Sequence, residues 1–534
     1  MPFEDILAAW SERHIIAAAL LLGGRNVPGW TMEEERLTAK LPSLPFDLIE
    51  QIRNKILRGQ DPLGDLLMTV RPGNQRRQQG ATYTPLKIVQ SMVSGVAPRS
   101  SFARIVDPGA GSARFLLAAG RRWRHAELIG VEIDPVAAVI ARANLAVAGF
   151  ADRSEIRIND YRNFPLEPID GRTLYIGNPP YVRHHLIDAV WKEWLVREAA
   201  QLRLRASQLA GLHVHFFLRT ALTAKQCDVG VFITASEWLD VNYGALVREL
   251  LLGRLGGQRL TVIEPTALPF PDAATTAVIA AFEVGSRPTS IRVKRIEEPD
   301  DLSNTNGGRL VRRERLENEN RWSHLTRRLR PEPEGYVELG ELCRVHRGQV
   351  TGSNKVWIAG PDSSTLPESV LFPSVTRARE LIASGLVLQD ASHLRAVIDI
   401  PVDLAVFNEY ELRSIERFLR AAKSAGADKS FIARNRKAWW SVGLREPAPI
   451  LATYMARRPP AFVRNLARAR HINIAHGLYP REPLAERVLT RLVSHLASMT
   501  NVADGRTYAG GLTKFEPREM ERILVPSPEL LLTM

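Results

Sequence analysis

The stretch Ala103-Arg-Ile-Val-Asp107-Pro-Gly-Ala-Gly-Ser112 decides the fold. An apolar run ends at Asp107, a turn carries Gly109 and Gly111, and a helical pattern opens near Ser112. Glycines let a backbone approach a ligand closely, and a helix N-terminus offers it unpaired N–H groups. The next apolar run closes on Val131-Glu132-Ile133-Asp134. Glu132 falls about twenty residues past the glycines, where an acid can grip ribose hydroxyls. The turn lacks the G-x-G-x-x-G spacing of a pyrophosphate loop, which turns the reading from a dinucleotide to another nucleoside ligand.

Outward from this turn, β-rich runs alternate with amphipathic helical ones. Strands are predicted at 103–107, 127–134, 155–160, 173–177 and 228–235, and helices at 112–123, 136–148, 212–225 and 243–252. Such alternation winds β-α-β units into a mostly parallel sheet. Two further runs, 259–264 and 276–284, have no helix between them and predict a hairpin at the sheet edge, which makes the sheet mixed. The fold class is α/β, a Rossmann-like domain over 81–285. Residues 1–80 read as a helical N-terminal segment ending in the basic Arg76-Arg77-Gln78-Gln79-Gly80, and 286–334 as a charge-dense linker. The remainder, 335–534, reads as a second domain.

At 534 residues, 45% hydrophobic and 24% charged, the chain is long enough for several packed domains. No apolar run nears the ~20 residues that span a bilayer, and the first residues do not read as a signal peptide. Two cysteines, Cys227 and Cys343, are too few for a zinc finger or a disulfide framework. A reducing cytoplasm, with no membrane association and no metal, is the expected setting. Lys+Arg 71 against Asp+Glu 58 gives +13, a balance that points to polyanionic partners. The excess concentrates in 431–480, where Arg434, Arg436, Lys437, Arg445, Arg457, Arg458, Arg464, Arg468 and Arg470 face one acid, Glu446. Trp439-Trp440 lies within it, suited equally to packing on bases and to burial.

Two more strand ends carry chemistry. The third predicted strand ends in Asn159-Asp160-Tyr161, and the fourth in Asn178-Pro179-Pro180-Tyr181. Open α/β sheets bind ligands at strand C-termini, so these residues and the Gly-rich turn converge on one crevice. An aromatic amine is a poor nucleophile because its lone pair is delocalised. Two acceptors that bind both N–H bonds push the nitrogen towards tetrahedral geometry, and the Asn178 side-chain carbonyl and the Pro179 backbone carbonyl can supply them. Neither Cys227 nor Cys343 has the setting of a catalytic nucleophile. His213 and His215, at i,i+2 on a helix, read as structural, and His184 and His185 as a loop facing the substrate.

Thr84-Pro85, D-P-G-A-G, V-E-I-D, N-D-Y and N-P-P-Y, in this order, resemble the motifs of S-adenosylmethionine-dependent N6-adenine DNA methyltransferases of the TaqI-like arrangement, over about residues 76–285. Looser similarity to recognition domains of restriction–modification methylases lies in Arg347-Gly348 to Gly352 and in 508–515. The resemblance implies that Tyr83, Thr84 and Pro85 shape the methionine carboxylate end, and that Asp107, Gly109 and Gly111 hold the methionine moiety. It places Glu132 on the ribose, Ile133 and Tyr161 around the cofactor adenine with Asp160 accepting its amine, and counts Asn178 among both the cofactor-binding and the catalytic residues. Phe270 would pack on the flipped target base with Tyr181. The expected partner is double-stranded DNA, held by the basic 431–480 segment, with a separate restriction endonuclease as companion. Cytosine N4, RNA and a protein glutamine are the alternative substrates.

Overall fold

In the computed structural model, residues 7, 9–71, 83–97, 100–264, 267, 276–326, 333–456, 458–502, 505–508 and 512–534 are described. The chain divides into two units, Met1–Arg328 and Leu329–Met534. In the first, nine strands form one sheet: β1 Arg104–Asp107, β2 Glu127–Glu132, β3 Ser154–Ile158, β4 Thr173–Gly177, β5 Val229–Ala235, β6 Gly257–Ile263, β7 Ala277–Glu283, β8 Ser290–Ile296 and β9 Arg309–Arg312. Their order is β3-β2-β1-β4-β5-β7-β6-β8-β9. The strands β3, β2, β1, β4 and β5 are parallel, whereas β7 runs antiparallel to both β5 and β6. The winding reverses between β1 and β4, so the crevice at this switch point opens beside the C-termini of those two strands.

Helices cover both faces. We number α1 Glu12–Leu21, α2 Phe46–Leu57, α3 Pro62–Val70, α4 Leu86–Ser94, α5 Arg114–Arg122, α6 Pro135–Val147, α7 Ala189–Gln201, α8 Leu212–Thr223 and α9 Ala245–Leu252. One core joins α4, α5 and the inner side of α6 to the sheet through Ile88, Met92, Leu116 and Ala141, and the other joins α7, α8 and α9 through Leu195, Phe217 and Leu250. A third cluster packs Ile15, Ile52 and Leu63 against Val139 and Ile140 on the outer side of α6. This explains why α6 is buried along almost its whole length. The N-terminal helices are therefore a layer of the first unit. Arg142 of α6 and Glu34 are both fully buried, with Nε to Oε1 at 2.5 Å, and the guanidinium also donates to the carbonyls of Val27, Pro28, Gly29 and Ile156.

Two expectations need correction. The stretch 286–334 is not a linker throughout, because β8 and β9 extend the sheet. In Ser290–Ile296 the buried Ile291, Val293 and Ile296 stand among Arg292, Lys294 and Arg295, so a half-buried strand is disguised by its charged residues. The β6–β7 pair is antiparallel, but it lies inside the sheet rather than at its edge, since β8 pairs in parallel with β6.

The second unit holds a five-stranded sheet in the order Cys343–Arg347, Ala475–Pro480, Ile450–Thr453, Phe462–Asn465, Val387–Leu388. Helix Glu486–Met499 packs Leu492, Val493 and Leu496 into one core with Val345, Ile450 and Leu478, while Glu409–Ser424 buries Ile415, Phe418 and Leu419 with Trp357 and Val397. No helix among the described residues is long and apolar enough to cross a membrane.

Candidate functional site

At the end of β1, Asp107 is fully buried. Burial pushes its carboxyl up to about 8, the Gly109 N–H donating to Oδ1 at 3.3 Å pulls it back, and Glu132 raises it further. The neighbouring strand makes room for it. A Cβ on Gly177, the last residue of β4, would stand 2.4 Å from Asp107 Oδ1. Gly111 has φ +51°, and its N–H donates to Glu132 Oε2 at 2.7 Å. The N–H groups of Ile133 and Asp134 donate to Oε1 of the same carboxylate at 2.8 and 3.0 Å. Three backbone donors thus fix Glu132 between the Gly-rich turn and the start of α6, where Asp134 caps the helix by accepting from Val136 N.

The N-terminal layer braces this turn. Asp61, buried at the cap of α3, accepts from Gly64 N at 3.0 Å, from Arg114 Nε at 2.7 Å, from Asn144 Nδ2 at 3.0 Å and from the Ser112 hydroxyl. Arg114 carries the connection onwards by donating to the Thr84 carbonyl at 3.1 Å and to Asp65 at 2.5 Å. Thr84, buried, accepts through Oγ1 from Asn178 Nδ2 at 3.0 Å. The amide of Asn178 is thereby oriented, its carbonyl turned away from Thr84. Asp61 and Arg114 were not legible from motif reading, because their partners lie some fifty residues apart in the chain.

A cavity of about 260 Å³ occupies the crevice. Tyr83, Thr84, Gly109, Gly111, Glu132, Ile133, Asp160, Tyr161 and Asn178 all line it, Pro180 stands beside Asn178, and Leu67, Met68 and Arg71 of the N-terminal layer close one side. Arg71 is itself ion-paired with Asp134 and, at 2.7 Å, with Glu12. Ile133 is 59% exposed at the mouth, whereas Tyr161 is buried, its hydroxyl 3.0 Å from Thr220 Oγ1 and its ring 5.2 Å from that of Phe216. Pro85 and Asp107 stand outside the lining, Asp107 beneath the turn. A larger cavity of about 460 Å³ lies along α4 and α5, away from the strand ends.

The carboxylate of Asp160 is gripped by its neighbour two residues on. Arg162 donates through its backbone N (2.9 Å) and Nε (2.9 Å) to Oδ1, and through Nε (3.1 Å) and an Nη (2.6 Å) to Oδ2. Its guanidinium lies 3.7 Å from the ring centroid of Trp191 on α7. Nearby, His215 is fully buried and stacked on Trp194 at 5.8 Å; burial pushes His215 down to about 3 and His213 to about 4, so both are neutral packing residues. His185 is exposed and His184 half-buried, their rings edge to face at 5.6 Å.

Phe270 lies outside the described residues, and so does Arg457. Among the other cations expected to hold a polyanion, three do structural work instead. Arg464 is buried, paired with Glu486 at 2.8 and 2.6 Å. Arg470 donates to the Leu444 carbonyl at 3.1 Å and Glu446 at 3.2 Å and lies 4.0 Å over the Phe372 ring. Arg436 donates to the Val350 carbonyl at 2.5 Å. Arg434, Lys437, Arg458 and Arg468 are exposed. Trp439 and Trp440 pack edge to face at 5.9 Å, half-buried, with Trp440 Nε1 donating to the Pro401 carbonyl at 3.1 Å.

Residues 61–207 match the family described as N-6 DNA Methylase, and 319–533 match the C-terminal domain of the Type II methyltransferase M.Eco57I. The chain is 50% identical over 523 residues to the Type II methyltransferase M.XamI of Xanthomonas campestris pv. amaranthicola, covering 98% of this chain and 99% of that protein. It is 23% identical over 474 residues to the Type II methyltransferase M.AccI of Acinetobacter calcoaceticus, covering 84% of this chain and 85% of that one. The solved structure of the type IIG restriction endonuclease BpuSI superposes with a TM-score of 0.47 at 16% identity, over 96% of this chain and 69% of that one.

Proposed function

Because the chain belongs to the type II DNA methyltransferases of restriction–modification systems, we propose that it methylates N6 of an adenine flipped out of duplex DNA. The observation that carries this reading is the Asn178 amide held by Thr84 at 3.0 Å at the mouth of the Gly-rich crevice. An adenine amine has two N–H bonds to place. The Asn178 side-chain carbonyl and the Pro179 carbonyl accept them and draw the nitrogen lone pair out of the ring. Tyr181 and Phe270 hold the base by stacking after it leaves the duplex.

S-adenosylmethionine supplies a sulfonium methyl, and the residues present fit it. The Oδ2 of Asp107 is buried without a hydrogen-bond partner, a position suited to a cationic amino group. Glu132, fixed by three amides, keeps its orientation for two vicinal hydroxyls, and Asp160 stands at the adenine end with Ile133 and Tyr161. Gly109 and Gly111 admit the methionine chain past the turn, with Tyr83, Thr84 and Pro85 at its carboxylate. What this chain contributes is position: a methyl acceptor and donor held in line need no strong base.

The exposed Arg434, Lys437, Arg458 and Arg468 are assigned to backbone phosphates, and a restriction endonuclease reading the same site is the companion such an enzyme implies. The test is transfer from labelled S-adenosylmethionine to unmodified duplex DNA, followed by separation of the nucleosides. N6-methyladenine at a fixed sequence supports the reading. N4-methylcytosine reassigns the base, and label absent from DNA overturns it.

A further inference from the structure

Phe431 is 80% exposed, although it stands on a turn that is firmly built. Ser430 caps the short helix Phe431–Arg434 by accepting from Ala433 N at 3.2 Å, and Ala433 is buried beneath it. From below, Gly352 (φ +85°) comes so close that a Cβ there would stand 2.8 Å from Ser430 Oγ. Arg436 ties the far end of the turn to the Val350 carbonyl. The segment Arg347-Gly348 to Gly352, singled out by its resemblance to recognition domains, thus supports the backbone that displays Phe431. A phenyl ring displayed on a supported backbone is placed to pack on a partner.

The surroundings say which. Lys423, Lys429, Arg434 and Lys437 are exposed on the same stretch, against one carboxylate, the half-buried Asp428. Phe431 and Arg434, three apart in one helical turn, share a side. An aromatic ring rimmed by cations complements a stack of bases flanked by phosphates. We propose that Phe431 inserts against a base step of the bound duplex while Lys429, Arg434 and Lys437 contact the flanking phosphates. The proposal rests on the reading of the basic segment as the DNA-holding surface and names the residue that grips the bases there.

The test measures binding of the full chain, with S-adenosylhomocysteine present, to a fluorescein-labelled duplex across a salt series. Phe431→Ala should weaken binding about tenfold, as loss of one aromatic stack does, with the slope of log affinity against log salt unchanged and S-adenosylhomocysteine affinity intact. Phe431→Trp should retain binding. The double variant Arg434→Gln/Lys437→Gln should flatten the slope by about two. Wild-type affinity in Phe431→Ala overturns the insertion. Wild-type binding that ignores salt overturns the reading of the basic segment itself, and the proposal with it.

Discussion

Thr84 accepts one hydrogen of the Asn178 amide, and that contact decides which way the amide faces. Asn178→Ala should lower methyl transfer on the order of 100- to 1000-fold with little change in S-adenosylhomocysteine affinity, since the lost acceptor matters when the nitrogen pyramidalises. Thr84→Val should cost about tenfold by letting the amide turn, with single-turnover kinetics as the readout for both. Asp107 offers a proton-linked measurement. Its carboxyl sits at about 8, far above the ordinary 3.8, so the folded chain keeps a proton that the unfolded chain has already lost, and the stability this gives the cofactor-free protein declines as pH rises from about 4 to 8 and is gone above the folded value. A ligand with a cationic amino group favours the ionised form. S-adenosylhomocysteine should therefore bind with proton release at neutral pH and more tightly as pH rises towards 8, and Asp107→Asn should abolish the release in calorimetry across buffers. Arg162→Ala frees Asp160 from its clasp and should weaken the same ligand several-fold, with Arg162→Lys a poor substitute because it lacks the planar fork. The strand-end residues were legible because a turn or motif announces each one. Arg162 was not, for its signal is only proximity in sequence to Asp160.

Among the elements, the strands β1 to β7 lie within two residues of their sequence-predicted bounds, as apolar runs ended by Gly, Pro or acid tend to. β8 and β9 escaped because charged residues outnumber their few buried apolar ones. The helix α7 escaped because Trp191, Trp194 and Leu195 lie among charged neighbours. Helix α6 was legible at 136–148, but the reading did not show that the N-terminal helices cover its outer side as well. Its Arg142 meets Glu34 with both groups out of water. Arg142→Met alone should destabilise the chain by about 3–5 kcal/mol, whereas Arg142→Met with Glu34→Gln should recover a large part of that, because the cost is the abandoned charge. Chemical denaturation of the two variants separates the cases.

At the level of the whole molecule, the charge balance was legible as a clue to partners, but the role of each arginine was not. Arg464 and Arg470 are consumed inside the second unit, and composition cannot tell a spent cation from an available one. The division of the chain at Arg328 and Leu329 matters to anyone who recombines such enzymes. Grafting a foreign recognition unit after residue 285 would strip β8 and β9 from the sheet and leave the edge of β6 bare, inviting misassembly. A crossover placed after residue 328 should give soluble chimaeras that still bind S-adenosylhomocysteine. Parallel expression of chimaeras with the two junctions, read by ligand-dependent thermal shift, checks it. A stretch whose composition looks like the safe place to splice is thus part of the catalytic half's inheritance, and a swap of specificity has to carry it along intact.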